Sequence, residues 1–270
     1  MSDLIKNLMV IDETDYHEQS GTRFLSSHRL QACREANDCK AFWDGQQLED
    51  TQGFLRFGRM VHLYTLEGPE SFFEQHTVIG GPQGPRGGYK APHEITAAEA
   101  QEWKNKNNGS DWVTPRELQK LQGMAESAWR CGNKFLESGW AELTARSVIR
   151  GVHCQGRIDW ISESGGGCIV DLKTTRSIKM LPGQIAKFGY LNQMAFYQML
   201  YCLATNQDPP DVYILGVEKQ KPFASKLIKC EQYKLDEKRK TNLCWIDRLR
   251  FYLQQQKGGK QWTKAQKILA

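Results

Sequence analysis

Residues 156–175 read GRIDWISESGGGCIVDLKTT, and the expected architecture starts from this stretch. An apolar run that carries Asp159 is followed by a glycine-rich turn and by a second run, residues 168–170, which leads into Asp171 and Lys173. This pattern predicts a β-hairpin. Residues i and i+2 of a strand point to the same face, so Asp171 and Lys173 project together and the hairpin brings Asp159 beside them. Two carboxylates and an ammonium on one face are unfavourable unless a divalent cation binds there, and such a site suits metal-assisted hydrolysis of a phosphodiester.

The composition is that of an ordinary globular chain with a small positive charge. Of 270 residues, 40% are hydrophobic and 25% are charged, and Lys plus Arg exceed Asp plus Glu by 36 to 31. This excess permits a polyanionic partner without requiring one. Residues 1–18 lack a basic segment followed by an apolar one, and no apolar run reaches about 18 residues. We therefore expect a cytoplasmic protein without a membrane span.

The cysteines indicate neither a disulfide framework nor a metal cluster. The chain has eight of them, and no two form a CxxC pair. Zinc and iron–sulfur sites use closer spacings, and disulfides are rare in the cytoplasm. We predict eight free thiols.

The first half of the chain, residues 1–138, is expected to be mainly helical. A helix is predicted over residues 53–66, ending where Pro69 interrupts the pattern. Two further helices are predicted over residues 96–106 and 114–138, because Thr96 and Thr114 are each followed three residues later by a glutamate, as in a capping box.

The Gly/Pro-rich stretch at residues 80–92 is predicted to be a surface loop that carries Arg86 and Lys90. Composition alone favours a linker. The alternative is a flexible arm that contacts DNA phosphates.

From residue 139 onward the pattern becomes strand-like and then alternates. Residues 141–162 and 165–175 predict strands, residues 189–206 a largely buried helix, residues 211–218 another strand, and residues 235–256 a core-facing helix. The basic tail, residues 257–270, is expected at the periphery. The order predicts an α/β protein with a central mixed sheet flanked by helices and an N-terminal helical elaboration, in a single domain over residues 1–270.

Several short motifs occur in an order that resembles a known nuclease family. They are Asp15-Tyr16-His17, Ser26-Ser27-His28-Arg29-Leu30, Gly58-Arg59-Met60-Val61-His62, Leu66-Glu67-Gly68-Pro69-Glu70-Ser71-Phe72, Ala141-Glu142, Gly156-Arg157-Ile158-Asp159, Asp171-Leu172-Lys173-Thr174-Thr175 and Gln193-Met194-Ala195-Phe196-Tyr197. Together they resemble the RecB-like branch of the PD-(D/E)XK nuclease superfamily, and within it most of all the nuclease domain of the RecE-like exonucleases (exodeoxyribonuclease VIII). The resemblance implies a restriction-endonuclease-like core over residues 139–256. This chain departs from the family pattern in having Ile158 where proline is common and Asp171 where glutamate is common.

The resemblance implies a site for Mg²⁺ or Mn²⁺ formed by His62, Asp159, Asp171 and the backbone carbonyl of Leu172, since these hard cations prefer oxygen ligands. Without it, His62 reads as a core histidine, and the two aspartates read as partners of neighbouring cations in ion pairs. Lys173 is expected to stay charged beside the carboxylates and to stabilise the charge that develops on phosphorus.

The resemblance also implies supporting roles for three further polar residues. Glu142 would lie near the metal, although a glutamate at a strand start is more often solvated. Gln193 and Tyr197 lie four residues apart, so they share a helix face. The Gln193 amide would lie beside a phosphate or the attacking water, and the Tyr197 hydroxyl beside the strand backbone.

Four residues that follow the catalytic strand are candidate contacts to the DNA backbone: Thr174, Thr175, Arg176 and Lys179. Hydroxyls and cations suit such contacts. The alternative is an ordinary solvated loop, because loops are polar in any protein.

The expected activity is metal-dependent digestion of duplex DNA ends. By resemblance, the enzyme would work from the 5′ side, assemble as a ring of identical subunits and act with a single-strand annealing protein in recombination or repair. Two alternatives remain open, since a fold does not fix a substrate. One is a structure-specific or single-strand nuclease of the same fold, and the other is a DNA-end-binding protein that does not cleave.

Overall fold

The centre of the protein, in this computed structural model, is a mixed β-sheet with helices packed on both faces. The structure describes residues 5, 7–44, 52–78, 96–107, 111–164, 167–256 and 262–269. The predicted loop at residues 80–92, with Arg86 and Lys90, lies outside this part of the chain. The strands are β1 (Met9–Val10), β2 (His76–Thr77), β3 (Asp111–Trp112), β4 (Gly139–Ile149), β5 (Val152–Ser162), β6 (Cys168–Thr175), β7 (Asp211–Glu218) and β8 (Ser225–Lys229).

The helices provide both covering layers. They are α1 (Glu13–Gln19), α2 (Ser27–Ala36), α3 (Ala41–Asp44), α4 (Gln52–His62), α5 (Gly68–Gln75), α6 (Ala97–Lys106), α7 (Pro115–Leu136), α8 (Leu181–Lys187), α9 (Tyr190–Thr205), α10 (Gln232–Gln255) and α11 (Trp262–Ile268). No helix in the described ranges is both long and apolar enough to cross a bilayer.

Six strands form the main sheet in the order β1-β4-β5-β6-β7-β8. Strands β6 and β7 are parallel, and every other neighbouring pair in this sheet is antiparallel. Parallel neighbours need a crossover, and α8 and α9 supply it between β6 and β7. The predicted fold class, a mixed sheet flanked by helices, is confirmed. Strands β2 and β3 form a separate parallel pair.

Strand β6 divides the hydrophobic core into two layers because its side chains alternate. Ile169 packs into one cluster, with α2, α8, α9, α10 and α11. Val170 and Leu172 pack into the other, with α4, α5 and α7. By the same alternation, Asp171 and Lys173 project on the face of Ile169, where α9 lies.

Local sequence explains the start of the longest helix on the second face, α7. The Thr114 hydroxyl accepts a hydrogen bond from the Glu117 N–H, and the Glu117 carboxylate accepts one from the Thr114 N–H. This reciprocal pair is the predicted capping box. Thr96 and Glu99 bond in the same way at the start of α6.

The predicted helix over residues 53–66 ends differently from the expectation. Helix α4 ends at His62, a π-helical turn follows at Leu63–Glu67, and α5 restarts at Gly68. Pro69 lies in the first turn of α5, where its missing N–H has no helical partner to lose. Proline therefore begins a helix here and does not end one.

Two elements near the end of the chain go beyond the sequence prediction. Strand β8 was not predicted, and it pairs with β7 at the edge of the sheet. Helix α11 lies in the tail that was expected at the periphery, yet its Ala265 and Ile268 are fully buried in the core. The tail therefore contributes to packing.

Candidate metal centre

The candidate site lies where β5 and β6 separate. The two strands pair from Ser162 and Cys168 as far as Trp160 and Val170, and the next pair in register would be Asp159 with Asp171. That pair does not form. Instead, the Leu172 N–H donates to Oδ2 of Asp159 at 2.9 Å, so the Asp159 side chain occupies the opening between the strands.

Three side chains from different elements converge at this opening. Nδ1 of His62, the last residue of α4, lies 3.5 Å from Oδ2 of Asp159 and 3.9 Å from Oε1 of Glu142. One ligand atom from each of the three residues lies within 4.8 Å of the others. Imidazole nitrogen and carboxylate oxygen are donors that divalent cations accept, so this group can hold a metal ion.

Glu142 reaches this group through an unusual backbone conformation. Its φ is +53°, in the left-handed region, although it lies inside β4. Its neighbours Ala141 and Leu143 pair with β5, whereas Glu142 has no pairing partner opposite Asp159. Left-handed conformations are unfavourable for residues other than glycine and cluster at functional sites. The Glu142 carboxylate is held on its other side by Nε of Arg157, 2.8 Å from Oε2.

Asp171 lies next to the group of His62, Glu142 and Asp159 but is not a member of it. Its side chain is 1% exposed, and Nζ of Lys173 lies 2.6 Å from Oδ2. Neither carboxylate oxygen of Asp171 accepts a hydrogen bond of good geometry from the described residues. Oδ2 has the Lys173 ammonium as its ion-pair partner, whereas Oδ1 has no polar partner among these residues. A buried carboxylate oxygen without a donor is costly, and a cation would satisfy it. The Asp171–Lys173 ion pair that the sequence left open is present in the structure.

The pKa values reflect a buried site rich in negative charge. Burial raises the pKa of Asp171 to about 6, with Lys173 acting in the opposite direction. Burial by itself would lower the pKa of His62, but the charges of Asp159 and Glu142 outweigh it and raise that pKa. Burial likewise opposes the charge of Lys173, and the two aspartates outweigh it and raise the Lys173 pKa. Lys173 is therefore a fixed positive charge and a poor general base.

Helix α9 contributes a second polar pair close to the carboxylates. Nε2 of Gln193 donates to the hydroxyl of Tyr197 at 2.9 Å. Tyr197 is buried, and burial raises its pKa well above the usual value, so the hydroxyl stays protonated. A Cβ at Gly156 would lie 2.8 Å from the Tyr197 ring, so only glycine lets β5 approach it. Gln193 and Tyr197 share a helix face, as expected from their spacing.

The four predicted DNA contacts divide into two kinds. Arg176 and Lys179 are exposed, and Thr174 is half-buried. Thr175 is buried, and its hydroxyl bonds to the Ser177 backbone and to Oε1 of Gln184. The Thr175 hydroxyl thus bonds within the turn, and its contact with a phosphate stays a prediction.

Sequence reasoning assigned no role to two charged residues beside Glu142. Arg157 bonds Glu142, and its other nitrogen lies 3.6 Å from Oε1 of Glu13 on α1. A hydrogen bond from His17 lowers the pKa of Glu13 to about 2, and Arg157 adds to the effect against burial. The position of Arg157 could have been predicted from the sequence, because it lies two residues before Asp159 and so shares its strand face. The position of Glu13 could not, because only the tertiary structure brings it to the site.

Two aromatic or basic residues also approach Lys173. Nζ of Lys173 lies 5.1 Å from the centre of the Tyr190 ring. His28 on α2 is exposed at its surface, yet desolvation by the surrounding protein, followed by the charges of Lys173 and His17, lowers its pKa. The Ser-Ser-His motif pointed to this region without indicating a role for His28.

A mixed sheet with acidic residues and a lysine at the opening between two central strands defines the PD-(D/E)XK-like class of proteins. A model of the PDDEXK-like domain of unknown function (DUF3799) matches residues 27–265. The chain belongs to this family. No curated protein matches the sequence.

One solved structure supports the fold. A crystal structure from Eubacterium rectale, of a protein described as a candidate exonuclease, has a TM-score of 0.60 and 16% sequence identity, covering 89% of this chain and 85% of that one. A second structure, named SSO0001, is 16% identical, covers 52% of this chain and 65% of that one, and has a TM-score of only 0.28.

Proposed function

We propose that this protein is a nuclease that hydrolyses phosphodiester bonds of DNA with a divalent metal ion. The observation that carries the proposal is the convergence of His62, Glu142 and Asp159, with the partnerless oxygen of buried Asp171 beside them. Membership of the PDDEXK-like family supports it, because such nucleases typically use divalent metals.

The donor set fits Mg²⁺ or Mn²⁺. Asp159 and Asp171 would hold the ion, with His62, Glu142 and the carbonyl of Leu172 completing the protein ligands. Carboxylates and a carbonyl suit hard cations, and the single imidazole favours Mn²⁺ over Mg²⁺ among them. A bound ion would supply polarisation of a water molecule and neutralisation of phosphate charge.

The residues of the chain would divide the remaining work. The Lys173 ammonium would leave its ion pair with Asp171 and stabilise the negative charge that develops on the phosphate oxygens. Gln193, held by the Tyr197 hydroxyl, would orient a phosphate or water with its remaining amide groups. Exposed Arg176 and Lys179 would contact the DNA backbone.

The finer assignment is a RecE-like exodeoxyribonuclease that digests linear duplex DNA from the 5′ end for recombination or repair. The motif order supports this branch, and the description of the Eubacterium rectale structure agrees with an exonuclease. Ring assembly of identical subunits and cooperation with a single-strand annealing protein belong to the same proposal.

End-labelled linear duplex DNA tests the activity. We expect nucleotide release by the wild type with Mg²⁺ or Mn²⁺, none with a chelator, and loss of release in Lys173→Ala with DNA binding retained. Lys229→Ala is the matched control, because Lys229 is exposed and pairs with Asp211 at the sheet edge. Loss of one electrostatic group that acts in the transition state lowers the rate about 100- to 1,000-fold.

The same experiment separates the alternatives. A label released first from the 5′ end supports the proposed polarity, and preference for single-stranded or flapped substrates supports a structure-specific nuclease. DNA binding by the wild type without release in either metal would replace the proposal with an end-binding protein.

A further inference from the structure

The segment that joins the catalytic strand to α9 has a chemistry unlike the rest of the site. Residues 176–188 read RSIKMLPGQIAKF and contain three cations and no carboxylate. The cations, Arg176, Lys179 and Lys187, are all exposed. A basic segment beside an acidic metal centre suits a polyanionic chain that runs across the protein surface.

Phe188 ends this segment with an exposed aromatic ring. Its side chain is 42% exposed, whereas Phe24, Phe42, Phe72, Phe196 and Phe223 are buried. The backbone at this position is fixed. The Phe188 N–H donates to the Gln184 carbonyl at 2.9 Å, and the Phe188 carbonyl accepts from Nε2 of Gln31 at 3.1 Å. The following Gly189 has φ +64°, a turn that glycine adopts without strain.

The ring is connected to the catalytic lysine through Tyr190. The ring centres of Phe188 and Tyr190 are 5.8 Å apart, and Nζ of Lys173 lies 5.1 Å from the Tyr190 ring. The Phe188 ring thus lies within about 11 Å of the Lys173 ammonium. This separation is at most about three stacked nucleotides, at about 3.4 Å each. Nζ of Lys187 lies over the Phe188 ring, 5.6 Å from its centre.

We propose that Phe188 is a stacking platform for an unpaired nucleobase of the strand whose phosphate lies at the metal centre. The subsite combines an exposed aromatic side chain with the positive charge of Lys187 for the adjoining phosphate, and this combination holds single-stranded nucleic acid. This subsite lets the nuclease bind frayed or single-stranded DNA termini. This inference rests on the proposed function.

A fluorescent base tests the contact. DNA duplexes with a short single-stranded end carrying 2-aminopurine are titrated with the protein, in the Lys173→Ala background so that the DNA is not consumed. Stacking on Phe188 quenches the 2-aminopurine fluorescence. Phe188→Ala is expected to abolish the quenching and to weaken binding of these ends about tenfold, since each base–aromatic stack is worth about a factor of 5 to 150.

Matched variants separate stacking from simple bulk. Phe188→Tyr keeps a π-face and should keep the quenching, whereas Phe188→Leu keeps an apolar side chain and should lose it. Phe251→Ala, at another exposed phenylalanine on α10, should behave as the parent protein. Circular dichroism checks that each variant is folded.

Several outcomes overturn the inference. Equal quenching and affinity in Phe188→Ala and its parent would remove the stacking role, and quenching retained in Phe188→Leu would replace it with a nonspecific apolar contact. In both cases cleavage by the wild type would leave the nuclease proposal standing. If the wild type neither binds nor cleaves DNA, both proposals fail together.

Discussion

Glu142 shows how a single residue can serve the site at the expense of stability. It holds a left-handed conformation inside a strand, and its carboxylate lies between His62 and Arg157. A left-handed residue other than glycine is disfavoured by about 1–2 kcal/mol. We infer that the fold tolerates this strain because it aims the carboxylate at the metal centre.

Two substitutions at this position isolate the strain. Glu142→Ala and Glu142→Gly both remove the carboxylate, but only glycine adopts the left-handed backbone freely. We predict that Glu142→Gly is more stable than Glu142→Ala by about 1 kcal/mol in urea unfolding. Equal stabilities, or a more stable alanine variant, would contradict the strained backbone. Both variants should bind metal more weakly than the wild type.

Sequence periodicity predicted part of the site and not the rest, for a physical reason. Asp171 and Lys173 share a face because a strand repeats every two residues, and this follows from the sequence alone. The contact of Glu142 with Arg157 depends on the register of β4 against β5 and on the positive φ at Glu142. Neither is encoded in a local pattern.

Among the elements, those with strong local signals were predicted closely. Strand β7 has the predicted bounds, and α9 differs from its prediction by one residue at each end. Strand β8 has the sequence SKLIK, whose side chains are half-buried or exposed, so it lacks the apolar run of a buried strand. Lysines on an edge strand hinder its pairing with other chains. They also interrupt the apolar pattern by which a strand is predicted from sequence.

The capping box of α7 provides a test at the level of an element. We predict that Thr114→Ala lowers the free energy of unfolding by about 1 kcal/mol, because the first turn of α7 loses a hydrogen-bond acceptor. Urea denaturation followed by circular dichroism measures it. Thr96→Ala, at the exposed capping box of α6, is the control and should have a smaller effect, since its first turn can open locally. Equal losses of unfolding free energy in both variants would show that the capping box of α7 stabilises the protein no more than the exposed one of α6.

At the scale of the whole molecule, the reactivity of the cysteines measures how tightly the two hydrophobic clusters are packed. All eight lie in the described part of the chain as free thiols, and Cys244 is the exposed one. Burial raises the pKa of Cys168 to about 11 and that of Cys230 to about 12, so these two thiols stay protonated at neutral pH. The thiolate is the reactive form.

Because Cys244 is the exposed cysteine of the described chain, we predict that it reacts fastest with a thiol reagent such as DTNB. Cys244→Ser should abolish the rapid phase, and Cys131→Ser, at a half-buried cysteine on α7, should retain it. Denaturation should expose all the remaining thiols. A rapid phase that persists in Cys244→Ser would show that the core opens more readily than its packing indicates.

Binding of Mn²⁺ measured by isothermal titration calorimetry tests the metal centre without relying on any substrate. The wild type should bind the ion, and Asp159→Asn should bind it at least about tenfold more weakly, since even outer-shell partners contribute a factor of 10 to 100. Asp211→Asn, at an exposed aspartate paired with Lys229, should match the wild type. Equal affinity in the wild type and Asp159→Asn, or no binding by the wild type, would contradict a cation held between β5 and β6.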